Sequence, residues 1–166
     1  MQGTSSLFIT DPIESLNPKK DTTVLWMQEV SNMGGKVLQC EIKDLFFKDQ
    51  QTFTKFSEIK DPNKHPQTAE LINEMKLLKD FDYIFMRKDP PVDEDYMNAL
   101  YILFQAESEG AFVLNRPSAL MKFNEKIFAL RFADWMPNTN VICKEEDFKS
   151  FKEKNKNIIL KPLNGM

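Results

Sequence analysis

The clearest indication of the fold class lies in residues 7–42, LFITDPIESLNPKKDTTVLWMQEVSNMGGKVLQCEI. The stretch begins with apolar residues that predict a buried strand over residues 7–10. Residues 22–33 then carry an apolar side chain at every third position from Val24 onward, which predicts a helix. Residues 36–42 form a second apolar run and predict a second strand. Because strand–helix–strand crossovers join parallel strands, this order predicts an α/β fold with an open, mostly parallel sheet.

Local signals mark both ends of the predicted helix. Asp21 stands directly before it and has the short polar side chain that caps helix N-termini. Gly34 and Gly35 follow it, and glycine readily takes the left-handed conformation that ends a helix. The helix is therefore predicted to run from Thr22 to Met33.

The rest of the chain alternates between strand and helix patterns. Residues 45–59 predict a β-hairpin around a polar turn at residues 48–51. Residues 68–79 predict a helix, because their apolar residues fall on one helical face. The other predicted elements are strands at residues 83–86, 111–114, 141–143 and 158–161, and helices at residues 94–109, 118–133 and 145–154.

The composition argues against two classes of partner. The chain has 166 residues and a formal net charge of -3. Nucleic-acid binding needs clustered positive charge, and the most basic run, residues 149–156, is interrupted by Phe151 and Glu153. No apolar run approaches the roughly 20 residues that a membrane-spanning helix needs. We therefore expect neither nucleic acid nor a membrane as a partner.

Cysteine and histidine usage argues against a metal site. Cys40 and Cys143 are far apart in the sequence, so neither a disulfide framework nor a cysteine metal site is expected. This usage is typical of a reducing compartment and predicts a cytoplasmic protein. His65 is the single histidine and is expected to be solvated, because no second histidine supports a metal site or a catalytic dyad.

Three loops are candidates for ligand binding. Ligands of open α/β sheets bind beside the carboxyl ends of the strands. Residues 11–21, 87–91 and 115–117 each follow a predicted strand and hold polar groups suited to a small polar molecule. Neither GxGxxG nor GxxxxGK[ST] occurs in the sequence, so no known glycine-rich phosphate loop is predicted.

Arg87 is the strongest single candidate in these loops. Its guanidinium is a planar fork that matches a carboxylate through two parallel hydrogen bonds. The stiff Asp89-Pro90-Pro91 segment would hold the loop in place. A surface ion pair between Arg87 and Asp89 explains the same spacing equally well, and both interpretations stay open.

Two lysines are candidates for phosphate binding. Lys161 ends a predicted strand and precedes Pro162, so the direction of its side chain is restricted, and a lysine can reach a phosphate as a point charge. Lys126 lies on a predicted helix and, taken by itself, is typical of an exposed helical lysine.

The last residues predict an unfinished hairpin. Asn164-Gly165 is a strong hairpin-turn dipeptide, because both residues tolerate positive φ. The apolar strand predicted before it would expose an unpaired edge without a returning strand. We expect the sequence to be a truncated form of a longer protein, with a disordered tail as the alternative.

Several segments together resemble the first half of bacterial-type glutathione synthetases, which are ATP-grasp ligases. Met-Arg-Lys-Asp-Pro-Pro at residues 86–91 is the most recognisable of them. Asn-Arg-Pro at residues 115–117 matches an Asn-Lys-Pro loop of the family, with Arg116 in place of lysine. The matching segments keep the family's order over nearly the whole chain. They are residues 11–13, 20–23, 86–91, 115–120, 124–126, Pro137, Thr139 and residues 158–166.

The resemblance implies a fold in two parts. Residues 1–122 would form a Rossmann-like amino-terminal domain, the pre-ATP-grasp domain. Residues 123–166 would begin the ATP-grasp domain with the start of its lid. A shift in composition near residues 136–137 suggests a later lobe boundary.

The resemblance also implies a reaction and its substrates. In the family, ATP phosphorylates a carboxylate of γ-glutamylcysteine, and the amine of glycine then attacks the acyl phosphate. Electrostatic stabilisation of the transferring phosphoryl group carries most of such catalysis. Lys126 and Lys161 align with two lysines that hold the ATP phosphates. The candidate substrate-binding residues in the amino-terminal domain are Asp11, Thr22, Arg87 and Asp89.

The sequence departs from the family in one large respect. The family's glycine-rich phosphate loop and acidic Mg²⁺ ligands come after the segment that ends at Met166, and this sequence does not contain them. ATP and Mg²⁺ are therefore expected of the full-length enzyme, while no catalytic residue and no metal ligand is predicted here. We expect no turnover by this chain alone.

Two other functions remain open at this point. One is a different ATP-grasp ligase, acting on other peptides or amino acids, against which residues 87–91 argue. The other is a short protein that only binds or regulates. Members of the family often form homo-oligomers, so self-association is a further expectation.

Overall fold

The computed structural model describes residues 3–64 and 68–165, and His65 and Met166 lie outside these ranges. The strands of the described part are β1 Ser5–Ile9, β2 Lys36–Cys40, β3 Leu45–Lys48, β4 Gln51–Ile59, β5 Ala69–Leu77, β6 Tyr83–Met86 and β7 Val113–Leu114. The α-helices are α1 Thr22–Asn32, α2 Glu94–Ser108, α3 Pro117–Lys122, α4 Glu125–Phe128 and α5 Glu145–Lys154. Short 3₁₀ segments cover Ile13–Ser15, Ile42–Asp44, Leu78–Asp80 and Ala129–Trp135.

The strands form one open seven-stranded sheet in the order β3-β4-β2-β1-β6-β7, with β5 paired to β4. β1 lies at the centre and is parallel to both β2 and β6, and β6 is parallel to β7. β4 is antiparallel to β2, β3 and β5. The predicted open α/β sheet is confirmed, with a parallel half around β1 and an antiparallel extension around β4.

The opening β1–α1–β2 unit forms as the sequence predicts. The Asp21 carboxylate caps α1 by accepting a hydrogen bond of 2.8 Å from the Thr23 amide. At the other end, Gly34 has a φ of 78°, in the left-handed region where glycine is favoured. The predicted hairpin is also confirmed, since β3 and β4 pair across Asp49 and Gln50, which both have positive φ.

The helix predicted over residues 68–79 is wrong, because this segment forms β5. Leu71 and Met75 suggested a helical face, yet both side chains are more than half exposed. β5 instead pairs with β4 over Phe53–Ile59, with a register shift between Lys55 and Phe56. The free edge of β4 supplies backbone hydrogen bonds that a local pattern does not encode, so tertiary pairing overrides the helical periodicity.

Three further predictions differ from the structure near the carboxyl end. The helix predicted over residues 118–133 is interrupted, because Phe123 leaves helical geometry and Asn124 caps a new helix, α4. Residues 141–143 and 158–161 are not strands, since no described segment pairs with them and a strand needs a partner.

The core has one layer on each face of the sheet, because successive side chains of a strand point to opposite faces. On one face, Leu7 and Ile9 of β1 lie in the cluster that includes Leu100 and Leu103 of α2. On the other face, Phe8 packs among the buried residues of α1. β1 is therefore buried on both faces, which gives the loop after it a rigid support.

Candidate functional site

The loops that follow β1 and β6 meet at the carboxyl edge of the parallel strands. The Arg87 amide donates a hydrogen bond of 2.8 Å to the Ile9 carbonyl, which continues the β1–β6 pairing past the end of the sheet. The Asp89 amide donates to Asp11 Oδ2 at 3.0 Å. Two of the three predicted loops, residues 11–21 and 87–91, are thus joined at this edge.

Asp11 holds the loop after β6 in place. Its Oδ1 lies 2.8 Å from Lys88 Nζ, and the two side chains are only 26% and 15% exposed. Lys88 also donates to the Asp89 carbonyl at 2.6 Å. Because both Asp11 oxygens have protein partners, the structure places this predicted substrate-binding residue as a support for the loop.

Arg87 lies against the first turns of α1. Its Nε donates to Thr23 Oγ1 at 3.1 Å, and its Nη2 donates to Thr22 Oγ1 at 3.0 Å. The guanidinium carbon lies 5.0 Å from the centre of the Trp26 ring. The predicted residues Thr22 and Arg87 are therefore in direct contact, although they are 65 residues apart in sequence.

The ion pair proposed as an alternative for Arg87 does not form. Among the described residues, no carboxylate lies within salt-bridge distance of Arg87. Asp89 is exposed, and its carboxylate accepts no hydrogen bond from the described part of the chain. One loop thus presents a guanidinium and a carboxylate, each without a neutralising protein partner.

A buried polar pair supports the start of the Asp11 loop. Gln39 Nε2 donates to Thr10 Oγ1 at 3.1 Å, and Thr10 Oγ1 donates to the Asp11 carbonyl at 2.7 Å. Both side chains are buried. Burying polar groups is favourable only when they are hydrogen-bonded, so this pair fixes the path of the chain where β1 ends.

Sequence reasoning missed three residues of this site: Thr23, Trp26 and Lys88. Thr23 and Trp26 follow Thr22 at spacings that put them near one another on a helix, so the helix prediction held a usable signal. Lys88 stands next to Arg87, but nothing local indicates that Asp11 is its partner.

The third predicted loop, residues 115–117, leaves the sheet at the same edge because β7 is the parallel neighbour of β6. Arg116 precedes α3, and its carbonyl accepts hydrogen bonds from the amides of Ala119 and Leu120. Within residues 3–64 and 68–165, no hydrogen bond or ion pair joins residues 115–117 to Asp11 or Arg87. This loop therefore adjoins the edge without a polar bond to Arg87 among the described residues.

The two predicted phosphate-binding lysines lie on neighbouring segments. Asn124 Nδ2 donates to the Leu163 carbonyl at 3.3 Å, which joins the chain just before Lys126 to the chain just after Lys161. Lys126 Nζ lies 2.7 Å from Glu125 Oε1, and this hydrogen bond lowers the pKa of the Glu125 carboxyl. Lys161 is exposed and forms no hydrogen bond or ion pair with any described residue.

One backbone contact connects these segments to the loop after β6. The Val92 amide donates to the Asn164 carbonyl at 2.8 Å. Val92 directly follows Pro91, so the segment with Lys161 approaches the base of the Arg87 loop. The structure brings Asp11, Thr22, Arg87 and Asp89 into one cluster, and it attaches the segments of Lys126 and Lys161 beside that cluster.

The described residues hold no preformed metal site. Within residues 3–64 and 68–165, no three His, Cys, Asp or Glu side chains are grouped so that they could hold an ion. Nor does this part of the chain contain a helix with the length and hydropathy that crossing a membrane requires.

Comparison with protein families gives two consecutive matches. The family model described as prokaryotic glutathione synthetase, N-terminal domain, matches residues 5–121. The model described as prokaryotic glutathione synthetase, ATP-grasp domain, matches residues 125–166. The first match alone covers more than half of the chain and contains the whole Asp11–Arg87 cluster.

Individual relatives agree with these matches. The glutathione synthetase of Vibrio cholerae is 40% identical over 166 residues, which cover 95% of this chain and 50% of the relative. Those of Buchnera aphidicola and Escherichia coli are 38% and 36% identical, over 161 and 159 residues, again 95% of this chain but 49% and 50% of the relatives. The chain thus spans about half the length of the curated relatives that it matches. On this evidence, the chain belongs to the prokaryotic glutathione synthetase family.

Proposed function

We propose that this chain contributes the dipeptide-binding part of an ATP-dependent ligase that joins γ-glutamylcysteine and glycine. One observation carries the proposal. Arg87 and Asp89 lie on a loop that Asp11 holds in place, and neither side chain has an oppositely charged protein partner among the described residues. In an open α/β sheet, the carboxyl edge where this loop lies is the expected position for a small-molecule ligand.

The two free charges match the glutamyl end of the dipeptide. That end carries an α-carboxylate and an α-ammonium group, which are close together and opposite in sign. Arg87 would bind the carboxylate through paired hydrogen bonds, and Asp89 would accept hydrogen bonds from the ammonium group. This arrangement leaves the cysteinyl carboxylate, the group that reacts, free to point away from the loop.

In the proposed reaction, an oxygen of the cysteinyl carboxylate attacks the γ-phosphorus of ATP and ADP leaves. The glycine amine then attacks the acyl carbon, phosphate departs, and the amine loses a proton to complete the amide. Lys126 and Lys161 would neutralise phosphate charge during the first step, a role in which a lysine acts as a point charge. Lys161 suits this role best, because it is exposed and unpaired among the described residues.

Mg²⁺ would neutralise phosphate charge in the whole enzyme. The described residues do not fit a resident Mg²⁺ site, because they offer no group of three acidic or other ligand side chains. No step is therefore assigned to a metal held by this chain.

Three further features belong to the same proposal. A domain boundary between residues 122 and 123 is supported by the break between α3 and α4. A cytoplasmic location is supported by Cys40 and Cys143, which are both free thiols. Self-association is supported by large apolar side chains that are exposed in the carboxyl-terminal segment, such as Trp135 at 88% and Ile159 at 85%.

Calorimetric titration of the purified chain with γ-glutamylcysteine tests the proposal. We expect binding by the wild type and a loss of affinity of roughly 10- to 100-fold in Arg87→Ala, since hydrogen bonds to charged groups contribute about 1.5–3 kcal/mol. Arg131→Ala is the matched control, because Arg131 also lies over an aromatic ring, that of Phe128, but outside the cluster. A wild-type chain that does not bind the dipeptide would contradict the proposal.

A second titration separates the roles of the two charges. Glutaryl-cysteine has the shape of the dipeptide but lacks the α-ammonium group that Asp89 would bind. The wild type is expected to prefer γ-glutamylcysteine, whereas Asp89→Asn is expected to bind both ligands with similar affinity. Asp49→Asn, at an exposed hairpin turn, is the control for loss of a surface carboxylate. Unchanged preference in Asp89→Asn would exclude Asp89 from this role.

A further inference from the structure

We propose that Trp26 is a positioning residue for Arg87: its ring holds one face of the guanidinium, while Thr22 and Thr23 leave only one edge open to a ligand. The inference rests on the proposed role of Arg87 in binding a substrate carboxylate. It adds a residue that the sequence did not single out, and it specifies the geometry in which the carboxylate binds.

The hydrogen bonds of Arg87 show which edge is open. A guanidinium has a side edge formed by Nε and Nη2 and an end edge formed by Nη1 and Nη2. The threonine hydroxyls of α1 occupy the side edge, Thr23 at Nε and Thr22 at Nη2. No described residue accepts a hydrogen bond from Nη1. The end edge is therefore the one that a carboxylate can engage through two hydrogen bonds.

Trp26 fixes the plane of the same group. The centre of its ring lies 5.0 Å from the guanidinium carbon, within the range of a cation–π contact. The spacing of four residues places Trp26 one helical turn after Thr22, so both side chains reach Arg87 from one side of α1. Together the threonines restrain the side edge of the guanidinium, and the indole restrains one of its faces.

The indole is itself held by the sheet. Its ring makes an edge contact with Phe85, at 5.7 Å between centroids and 74° between planes. Phe85 in turn stacks on the buried Phe8 of β1 at 4.8 Å. Residues 85 and 87 are two positions apart along the strand, so their side chains lie on the same face of the sheet, the face that α1 covers. This chain of aromatic contacts connects the orientation of Arg87 to the centre of the core.

A fixed guanidinium binds more tightly than a mobile one. A free arginine side chain loses rotamer entropy when a ligand immobilises it, and a side chain that the protein has already ordered loses less. Trp26 is still 44% exposed, so the contact lies beside solvent where a ligand can approach. At such sites a cation–π contact corresponds to about 2- to 5-fold in affinity.

The test combines two measurements on the intact chain. The first is the ¹⁵N heteronuclear NOE of the Arg87 Nε–H group, which reports side-chain motion faster than nanoseconds and is assigned with Arg87→Lys. The second is calorimetric titration with γ-glutamylcysteine. The variants are Trp26→Leu, which removes the ring, and Trp26→Phe, which keeps one. Trp135→Leu is the matched control, because it removes the other tryptophan, which is 88% exposed.

We expect Trp26→Leu to lower the Arg87 NOE and to weaken binding of γ-glutamylcysteine about 2- to 5-fold. Trp26→Phe should keep most of the wild-type NOE and affinity, and Trp135→Leu should leave the NOE and the affinity unchanged. An unchanged NOE in Trp26→Leu would overturn the inference, and so would a lowered NOE with unchanged affinity. If the wild type binds and Arg87→Ala does not, those results leave the proposed function in place. A wild type that fails to bind overturns both, however well ordered Arg87 is.

Discussion

At the scale of single residues, burial decides which of the two thiols is reactive. Cys40 is buried in the sheet, and this burial raises the pKa of its thiol to about 12. The thiolate is the reactive form, so Cys40 stays protonated and inert at neutral pH. Cys143 is exposed.

We therefore expect a disulfide reagent at pH 8 to modify Cys143 quickly in the folded chain and Cys40 only slowly. Cys143→Ser should abolish this fast phase, and Cys40→Ser should leave it unchanged. Both thiols of the wild type should react after unfolding in urea. Fast modification of Cys40 in the folded Cys143→Ser variant would show that the strand is more open than the structure indicates.

Adjacent serines in β1 are expected to respond in opposite ways to substitution by alanine. Ser6 is fully buried, and its hydroxyl has no hydrogen-bond partner among residues 3–64 and 68–165. Because an unsatisfied buried hydroxyl is unfavourable, Ser6→Ala should increase the free energy of unfolding by about 1 kcal/mol. Ser5 donates hydrogen bonds to Asp82 through its amide and its hydroxyl, at 2.7 and 2.9 Å. Ser5→Ala should therefore lower the free energy of unfolding. Urea denaturation measures both, and a destabilised Ser6→Ala variant would argue for a hidden partner.

At the scale of elements, one carboxylate joins the end of α2 to the antiparallel part of the sheet. Glu109 Oε2 accepts hydrogen bonds from the Thr52 amide at 2.9 Å and from the Thr52 hydroxyl at 2.8 Å. Burial acts to raise the pKa of Glu109, but the hydrogen bonds from Thr52 and Gln105 outweigh it and hold the pKa below its ordinary value of 4.5.

This lowered pKa has a definite sign for stability. Folding favours the ionised form of Glu109, so this carboxylate contributes its full stabilisation above pH 4.5, the ordinary pKa of a glutamate. It is lost as the pH falls below 4.5 and through the lower pKa of the folded state. Glu109→Gln should therefore be less stable than the wild type at pH 7 and approach it in acid. Thermal unfolding of the wild type and Glu109→Gln from pH 7 to 3 measures this difference in stability. Glu107→Gln, on the same helix, is the control. A difference between wild type and Glu109→Gln that stays constant over this pH range would contradict the prediction.

At the scale of the whole molecule, the sheet and the carboxyl-terminal segment make different contributions. The sheet holds the Arg87 cluster on a rigid edge, since β1 is buried on both faces. The described residues after position 124 include no strand and no buried side chain, and they present Lys161 to solvent. Within the described ranges, the chain thus has the edge proposed to bind the dipeptide but no enclosed place for a phosphoryl transfer.

We therefore expect the purified chain to bind the dipeptide without ligating it. Electrostatic stabilisation of a transferring phosphoryl group needs several positioned charges in a water-excluded site. Phosphate release from ATP should not respond to the addition of γ-glutamylcysteine and glycine together with Mg²⁺. The Vibrio cholerae relative serves as the positive control in the same assay. Release that requires both γ-glutamylcysteine and glycine would refute this expectation.

Features that depend on neighbouring residues could be predicted from the sequence alone. Asp21 and Gly34 set the ends of α1, and the polar turn of residues 48–51 set the β3–β4 hairpin, because caps and turns are local hydrogen-bonding problems. The family and the loop that carries Arg87 could also be predicted from the sequence, because the segments that resemble the family are short and continuous.

Features that join distant residues depend on tertiary pairing and could not be predicted from local patterns. The segment 69–77 became a strand because β4 offered an edge, although its own apolar spacing favoured a helix. Lys88 pairs with the carboxylate of Asp11. Arg87 contacts two hydroxyls and an indole on α1, more than 60 residues away in sequence. Such partners are set by which strands lie side by side, and the energy of pairing across a sheet is absent from any local pattern.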